Sequence, residues 1–467
     1  MKKLIALFLC CFILPFEAVG APTTASGVVV RKKIVKKETK PKSVLPPVTP
    51  MPFHTPEVRK VVTDSGIEAW LIEEKSTPVI AVSLIFKGGK ASDPKRLSGL
   101  SSLAMSLMDE GAGRYNAEAF SEILSEKAIN ISFSAFTDTL SANLETLREH
   151  KEEAFDLFRL TLTSPRFDRK NVQRIKEQMY AVIDARKGDP NAVAFERWAK
   201  LVYKDHAYGR TQPTKKSIRA ITRANLRSLV RDRLAKDNLI IGVAGNISAE
   251  ELKPLLEKTF ADLPEKSYVK QAPAITPELS NRTDVLSMDV PQSAVLFGHK
   301  GIARNDPDFY AALLVNYSFG GGSFASRLFK EVREKNGLAY SIDTFLNTNR
   351  LSPMIMGSVG SDNAKLADAI KIIQQQWRLM AEEGPAEQEL NDAKTFITGS
   401  FPLAFSSSKG LASFLAGMQY YDLGIDYLKR HDDLINSVTL EQAKKTAARL
   451  LLPDSLFFVV VGKPANL

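Results

Sequence analysis

The side chains best suited to hydrolytic or redox chemistry are thinly spread along these 467 residues. Five histidines are present, His54, His150, His206, His299 and His431. No two stand at the spacing that would let one helix or turn present both to a single metal ion. Glu152 and Glu153 follow His150, but that polar run reads as the solvated start of a helix. Cys10 and Cys11 are the only cysteines, and both fall in an N-terminal apolar run. Beyond that run the chain has no thiol nucleophile and no disulfide. Gly320, Gly321 and Gly322 are consecutive. Neither phosphate-binding glycine pattern can be laid on them, so they read as a tight turn instead. One further pair, Arg333 and Tyr340, stands seven residues apart in the block Val332-Arg333-Glu334-Lys335-Asn336-Gly337-Leu338-Ala339-Tyr340-Ser341. Taken singly, each has a structural reading, Arg333 on a helix surface and Tyr340 at the edge of a core.

The elements that must position these residues begin after a leader. Lys2 and Lys3 precede an apolar run from Leu4 to Phe16, and Ala18-Val19-Gly20-Ala21 has small residues where a signal peptidase needs them. Residues 1–20 therefore read as a signal peptide cut near Gly20, the run being shorter than the roughly 20 residues needed to span a bilayer. This predicts a periplasmic or otherwise exported protein. The net charge of +10 is concentrated just beyond, where residues 21–50 hold seven Lys or Arg against Glu38. With Pro46, Pro47 and Pro50, residues 21–52 read as a flexible basic linker, capable of at most weak contact with a membrane surface. Nucleic acid has no further support as a partner. Apolar residues at 44% and charged residues at 25% place the remainder among ordinary folded proteins.

That remainder is duplicated. Ile221–Asn246 and Val438–Lys463 match without gaps, each reading as a capped helix, a break and a buried strand ending near glycine. Strands are expected near 58–63, 67–73, 78–87 and 129–146, helices near 97–110 and 116–126, and a long helical run over 149–203. The second half repeats the order, with strands near 339–360. Such segregation predicts an α+β fold of two homologous domains, residues 53–265 and 280–467, each a mainly antiparallel or mixed sheet with helices on one face. Residues 266–279, with Pro273 and Pro277, form the expected connection.

The segment Ser98-Gly99-Leu100-Ser101-Ser102-Leu103-Ala104-Met105-Ser106 resembles the zinc helix of the pitrilysin/insulinase peptidases. In that family Gly-x-x-His-x-x-Glu-His sets two imidazoles one turn apart, with the Glu as general base. Here Ser102 and Ser106 stand at the histidine positions and Met105 at the glutamate. Counting back from Val193-Ala194-Phe195, Val182 stands at the position of the third ligand. The resemblance runs on through Ala117–Phe120, Phe155–Phe167 and Tyr208-Gly209-Arg210, and covers about residues 55–465. In the second half the Val332–Ser341 block is similar to the family's Arg-Glu-Lys-x-Gly-x-x-Tyr signature.

The resemblance implies that Arg333 holds substrate backbone and that Tyr340 donates to a developing oxyanion, work that needs no metal of their own. It further implies that Gly320–Gly322 border a substrate channel. Two-domain members of the family pair into a clam-like chamber, in which one subunit's second domain faces the zinc of the other. A chain without ligands or base, yet with the Arg/Tyr pair, is then expected to be the non-catalytic subunit of a zinc endopeptidase. It would hold no metal or cofactor itself and would act on peptide or unfolded protein beside a homologous zinc-bearing subunit. The alternative is a peptide-binding or scaffold protein of the same fold with no proteolytic role.

Overall fold

The computed structural model describes residues 55–467. The expected leader over 1–20, the basic stretch over 21–52 and His54 lie outside the described residues. The first sheet is built from β1 (Arg59–Val62), β2 (Glu68–Glu73), β3 (Val79–Lys87), β4 (Asn130–Ala135), β5 (Thr139–Leu147) and β6 (Leu239–Gly245). Their spatial order is β1-β2-β6-β3-β5-β4, antiparallel throughout except for β2 beside β6. The second sheet holds β7 (Arg282–Ser287), β8 (Gln292–Lys300), β9 (Ser341–Asn347), β10 (Met354–Asp362) and β11 (Phe457–Gly462). Its order, β7-β11-β8-β10-β9, with only β7 and β11 parallel, repeats the first sheet without a counterpart of β1. The expected α+β class and its duplication are both present.

In the first half, α1 (Leu100–Met105), α2 (Ala117–Glu126), α3 (Lys151–Thr163), α4 (Arg169–Arg186), α5 (Pro190–Tyr203), α6 (Lys215–Ala220), α7 (Arg223–Arg233) and α8 (Ala249–Phe260) accompany the sheet. The second half has α9 (Phe309–Asn316), α10 (Leu366–Glu383), α11 (Glu387–Ser400), α12 (Ser408–Tyr420), α13 (Tyr427–Asn436) and α14 (Leu440–Leu450). The duplication extends to the caps. The Thr222 hydroxyl accepts from Asn225 at the start of α7, and the Thr439 hydroxyl accepts from Gln442 at the start of α14. Both side chains answer in a capping box, which satisfies backbone donors that a helix start otherwise leaves free.

Each sheet is buried on both faces, more than the sequence led one to expect. Along β3, Ile80, Val82, Leu84 and Phe86 enter the core beneath the first half's own helices, while Ala81 points the other way. That opposite face is covered by α12 of the second half, through Leu411, Leu415 and Met418. In return, α5 of the first half lies on the second sheet, where Trp198, Val202 and Tyr203 meet Met354, Met356, Phe457 and Val459. The helices α5 and α12 occupy corresponding places in the two repeats, so the halves exchange equivalent helices. Gly242 on β6 makes one approach possible, since a Cβ there would lie 2.2 Å from the Ala412 carbonyl oxygen. Polar contacts reinforce the exchange. Arg197 of α5 reaches Asp284 of β7 through two bonds of 2.8 Å, and the Gln419 amide donates to Ile241 O at 2.8 Å. An apolar, interlocked contact of this kind opposes relative domain motion. Residues 266–279 cross between the halves with neither helix nor strand. Among the described residues, no helix is long and apolar enough to cross a membrane.

Candidate functional site

In the first half, α1 is short and firmly held. Gly99 begins it at φ 94°, where a side chain would be strained, and a Cβ there would also press on Ile218 and Pro213. The buried Asp93 carboxylate accepts from Gly99 N–H at 3.2 Å, Ser101 N–H at 3.0 Å and Ser101 Oγ at 2.5 Å. Arg233 of α7, also buried, donates to Asp93 at 3.0 Å and to Ser101 Oγ at 2.6 Å. Its remaining bonds go to the carbonyls of Gly88, Gly89 and Ser92. Burial pushes the Asp93 carboxyl upward, opposed by the Arg233 charge and the Ser101 donors.

On this helix Ser102 is half-buried, Met105 is 3% exposed and Ser106, its C-cap, is open to solvent. Val182 stands on α4 with 54% of its surface exposed, while Met179, Tyr180 and Ile183 of the same helix pack against the cluster that contains Met105. Two hydroxyls, a buried thioether and an isopropyl group do not fit zinc, which takes imidazole, thiolate or carboxylate. Among the described residues, no group of three or more His, Cys, Asp or Glu is placed to hold a metal ion.

Three of the four described histidines serve structure. His299 is fully buried, donating from Nδ1 to Lys300 O at 2.8 Å and accepting at Nε2 from Trp377 Nε1 and Leu452 N–H, both at 3.0 Å. Burial pushes its pKa down to about 4. The His431 ring lies parallel to Phe401 at 3.5 Å, and burial likewise lowers its pKa. His206 caps a short turn, accepting from Tyr208 N–H at 3.2 Å and bonding Pro273 O at 2.8 Å.

The second half holds Arg333 and Tyr340 together. Arg333 lies on a π-helical turn, Phe329–Lys335, that closes when Gly337 N–H donates to Arg333 O at 3.0 Å. Gly337, at φ 60°, then turns the chain so that Tyr340 N–H docks on Gly360 O at 2.8 Å, at the head of β9. The guanidinium is thereby stacked between two rings, 4.8 Å from the centre of Phe329 and 5.4 Å from that of Tyr340. Tyr340 is 72% exposed, and neither side chain has a carboxylate partner among the described residues. Phe324, 65% exposed and edge-on to Phe329 at 4.8 Å, extends the aromatic surface. Sequence reading missed Phe324 and Phe329; the placement of Phe329 four residues before Arg333, on one helical face, was the available signal. Gly320–Gly322 finish a second π-helical turn, Tyr317–Gly321, packed on β9. A Cβ on Gly320 would strike Thr344 and one on Gly322 the Tyr317 carbonyl, so the glycines permit a close approach of turn to strand.

Residues 69–213 match the family description Insulinase (Peptidase family M16), and residues 220–396 match Peptidase M16 inactive domain. The chain belongs to peptidase family M16. Among M16 relatives, the non-peptidase homolog YmxG of Helicobacter pylori is 27% identical over 403 residues, covering 84% of this chain and 91% of its own. The crystal structure of a peptidase M16 inactive domain from Pseudomonas fluorescens superposes with a TM-score of 0.82 at 26% identity, covering 88% of this chain and 98% of that one. The periplasmic protease PqqL of Escherichia coli shares the fold at 15% identity and a TM-score of 0.76. Its alignment takes in 97% of this chain but 49% of PqqL. An M16 fold with serine, methionine and valine at the metal positions is consistent with a non-catalytic member.

Proposed function

We propose that this M16 protein is the non-catalytic subunit of an exported heteromeric zinc endopeptidase, completing the site of a homologous zinc-bearing chain. The observation that carries the proposal is the Arg333–Tyr340 pair, a half-buried guanidinium stacked on an exposed phenol with no carboxylate partner among the described residues, in a chain that has no zinc ligands at the family positions. The phenol, 72% exposed, is available to a group outside the fold. That a protein of this size matches about half of PqqL supports a two-chain assembly, in which two such subunits supply what the longer chain holds in one. The apolar run from Leu4 to Phe16, with small residues before Ala21, supports export. The name of the Helicobacter pylori relative favours the second reading, a peptide-binding scaffold with no part in proteolysis.

In the proposed site the Tyr340 hydroxyl donates to the carbonyl oxygen of the scissile peptide as negative charge gathers there. Arg333 holds a neighbouring backbone carbonyl, and the Gly320–Gly322 turn borders the channel. Because the phenol interacts more strongly with the oxyanion than with the ground-state carbonyl, its loss falls on turnover. The test is to mix the mature chain with an exported M16 chain from the same genome that carries an intact His-x-x-Glu-His motif. Activity should exceed that of either chain alone, and Tyr340→Phe should lower kcat by about 10² to 10³ at equal assembly. Arg333→Ala should raise KM as well. Equal rates for wild type and Tyr340→Phe would put the scaffold reading first.

A further inference from the structure

An open pocket of about 580 Å³ lies on the helical side of the first half, bounded by the end of α3, the turn that follows it, α7 and the chain after α8. Three of its lining residues, Arg223, Arg227 and Arg231, follow one another at four-residue intervals along α7. They therefore rise about 6 Å per step on one side of the helix. The two lining carboxylates are already engaged: Asp168 pairs with Arg166 at 2.8 Å, and Asp262 with Arg159 at 3.0 Å. Arg223 is fixed by donating to the Phe167 carbonyl at 2.6 Å and the Arg166 carbonyl at 3.3 Å, and it has no carboxylate partner among the described residues. Arg227 is exposed and has no ion pair with another described residue. Arg231 leans on its neighbour Asp232 at 2.8 Å.

The first turn of α7 contains no acid and begins with Arg223, so a cation sits where the helix dipole favours an anion. A bound carboxylate would relieve that conflict and answer Arg223 and Arg227, neither of which has an ion pair with another described residue. Alternate side chains of an extended peptide project to one side about 6.6 Å apart, close to the step of the arginine row. Pro165 and Pro264, both half-buried, add apolar lining. The one aromatic lining residue, Phe167, is fully buried and offers no stacking platform for a nucleic-acid base. We propose that this pocket is an exosite for an acidic peptide segment bound in extended form, with carboxylates at alternate positions meeting Arg223, Arg227 and Arg231. It lies apart from the Arg333–Tyr340 pair and does not depend on the function assigned there.

The test uses the full mature chain and a fluorescein-labelled peptide, Gly-Glu-Val-Glu-Val-Glu-Gly, read by anisotropy at low salt. Saturable binding is expected, absent for the same peptide with Lys in place of Glu and weakened by added salt. Arg227→Glu should weaken it roughly tenfold or more, by removing a charge-assisted contact and adding repulsion. That substitution puts a carboxylate four residues from an arginine on each side, so the fold should not suffer, and an unchanged melting curve verifies this. Inorganic tripolyphosphate and phosphatidylglycerol vesicles are the other arms. No saturable peptide binding, or binding indifferent to Arg227→Glu, overturns the proposal. So does Arg227-dependent binding of tripolyphosphate or vesicles without binding of the peptide.

Discussion

The strand that leads out of each sheet toward a chemically suggestive segment is the same in the two halves, β3 in one and β8 in the other, yet the segments are finished in opposite ways. In the first half, Ser101 is tied into a buried network with Asp93 and Arg233, and Met105 fills the core. In the second, Tyr340 and Phe324 are exposed and Arg333 half-buried, held by ring contacts and with no carboxylate partner among the described residues. The comparison separates two uses of a polar side chain. A group answered within the protein secures the fold, whereas a group held rigid but left unanswered is available to something outside it. Asp93, Ser101 and Arg233, beside the zinc positions, belong to the first use; the Arg/Tyr pair belongs to the second.

The comparison breaks most sharply at Asp93. Asp93→Ala leaves the Arg233 guanidinium buried without its counter-charge and removes the acceptor that starts α1. Losing one partner of a buried pair costs about 3–5 kcal/mol. The urea midpoint of the isolated chain should fall accordingly, while Tyr340→Phe, at an exposed ring, should leave it where it is. If Tyr340→Phe moved the midpoint as far as Asp93→Ala, the pair in the second half would be structural as well.

His299 tests the same division through pH. Its pKa of about 4 lies below the ordinary histidine value of 6.5, so the folded chain binds fewer protons than the unfolded chain between those values. Stability from this group is fully present above pH 6.5 and declines as the pH falls toward 4, by about 1.4 kcal/mol per unit. His299→Gln should cost stability at neutral pH through lost hydrogen bonds, yet flatten the dependence of the urea midpoint between pH 6.5 and 4.5. A slope unchanged by the substitution would show that the imidazole is not held neutral.

How far these features could be read beforehand depended on how local their causes are. The strands were legible because alternation and turn glycines are local: β2 and β3 fall within a residue of the expected bounds. The run over 149–203 breaks into three helices where Pro165 and the Gly188-Asp189-Pro190 turn interrupt it. Helix α1 is shorter than the expected 97–110, since beyond Met105 the chain tightens into i→i+3 turns such as Leu107 N–H to Ala104 O at 3.0 Å. What could not be read is nonlocal. The exchange of α5 and α12 pairs residues 87 or more positions apart, and only Gly242, a glycine inside a strand, hinted at it. The arginine row went unread, because its pocket is assembled from separate stretches. Arg333 and Tyr340 were found through resemblance; their stacking on Phe329 required the structure.

The smallest effects are expected on α1 itself, and there they sharpen the comparison within a single turn. Ser106→His places an imidazole at an exposed C-cap, where surface substitutions ordinarily change stability by no more than about 0.5 kcal/mol. Ser102→His, at a half-buried site, should cost little more. Met105→Glu, one residue before Ser106, puts a carboxyl group into a site that is 3% exposed, where it should be held protonated and still cost about 1–3 kcal/mol or more unless it finds a partner. The paired histidines alone should not hold zinc stoichiometrically, because Val182 leaves the third ligand missing and structural or catalytic zinc takes at least three protein ligands. Melting curves for the single variants, with zinc analysis of the Ser102→His/Ser106→His chain, check both points. Tight zinc binding by that double variant would mean that another side chain already stands where a third ligand is needed, and the first half would be a metal site lacking only its imidazoles rather than a segment given over to packing.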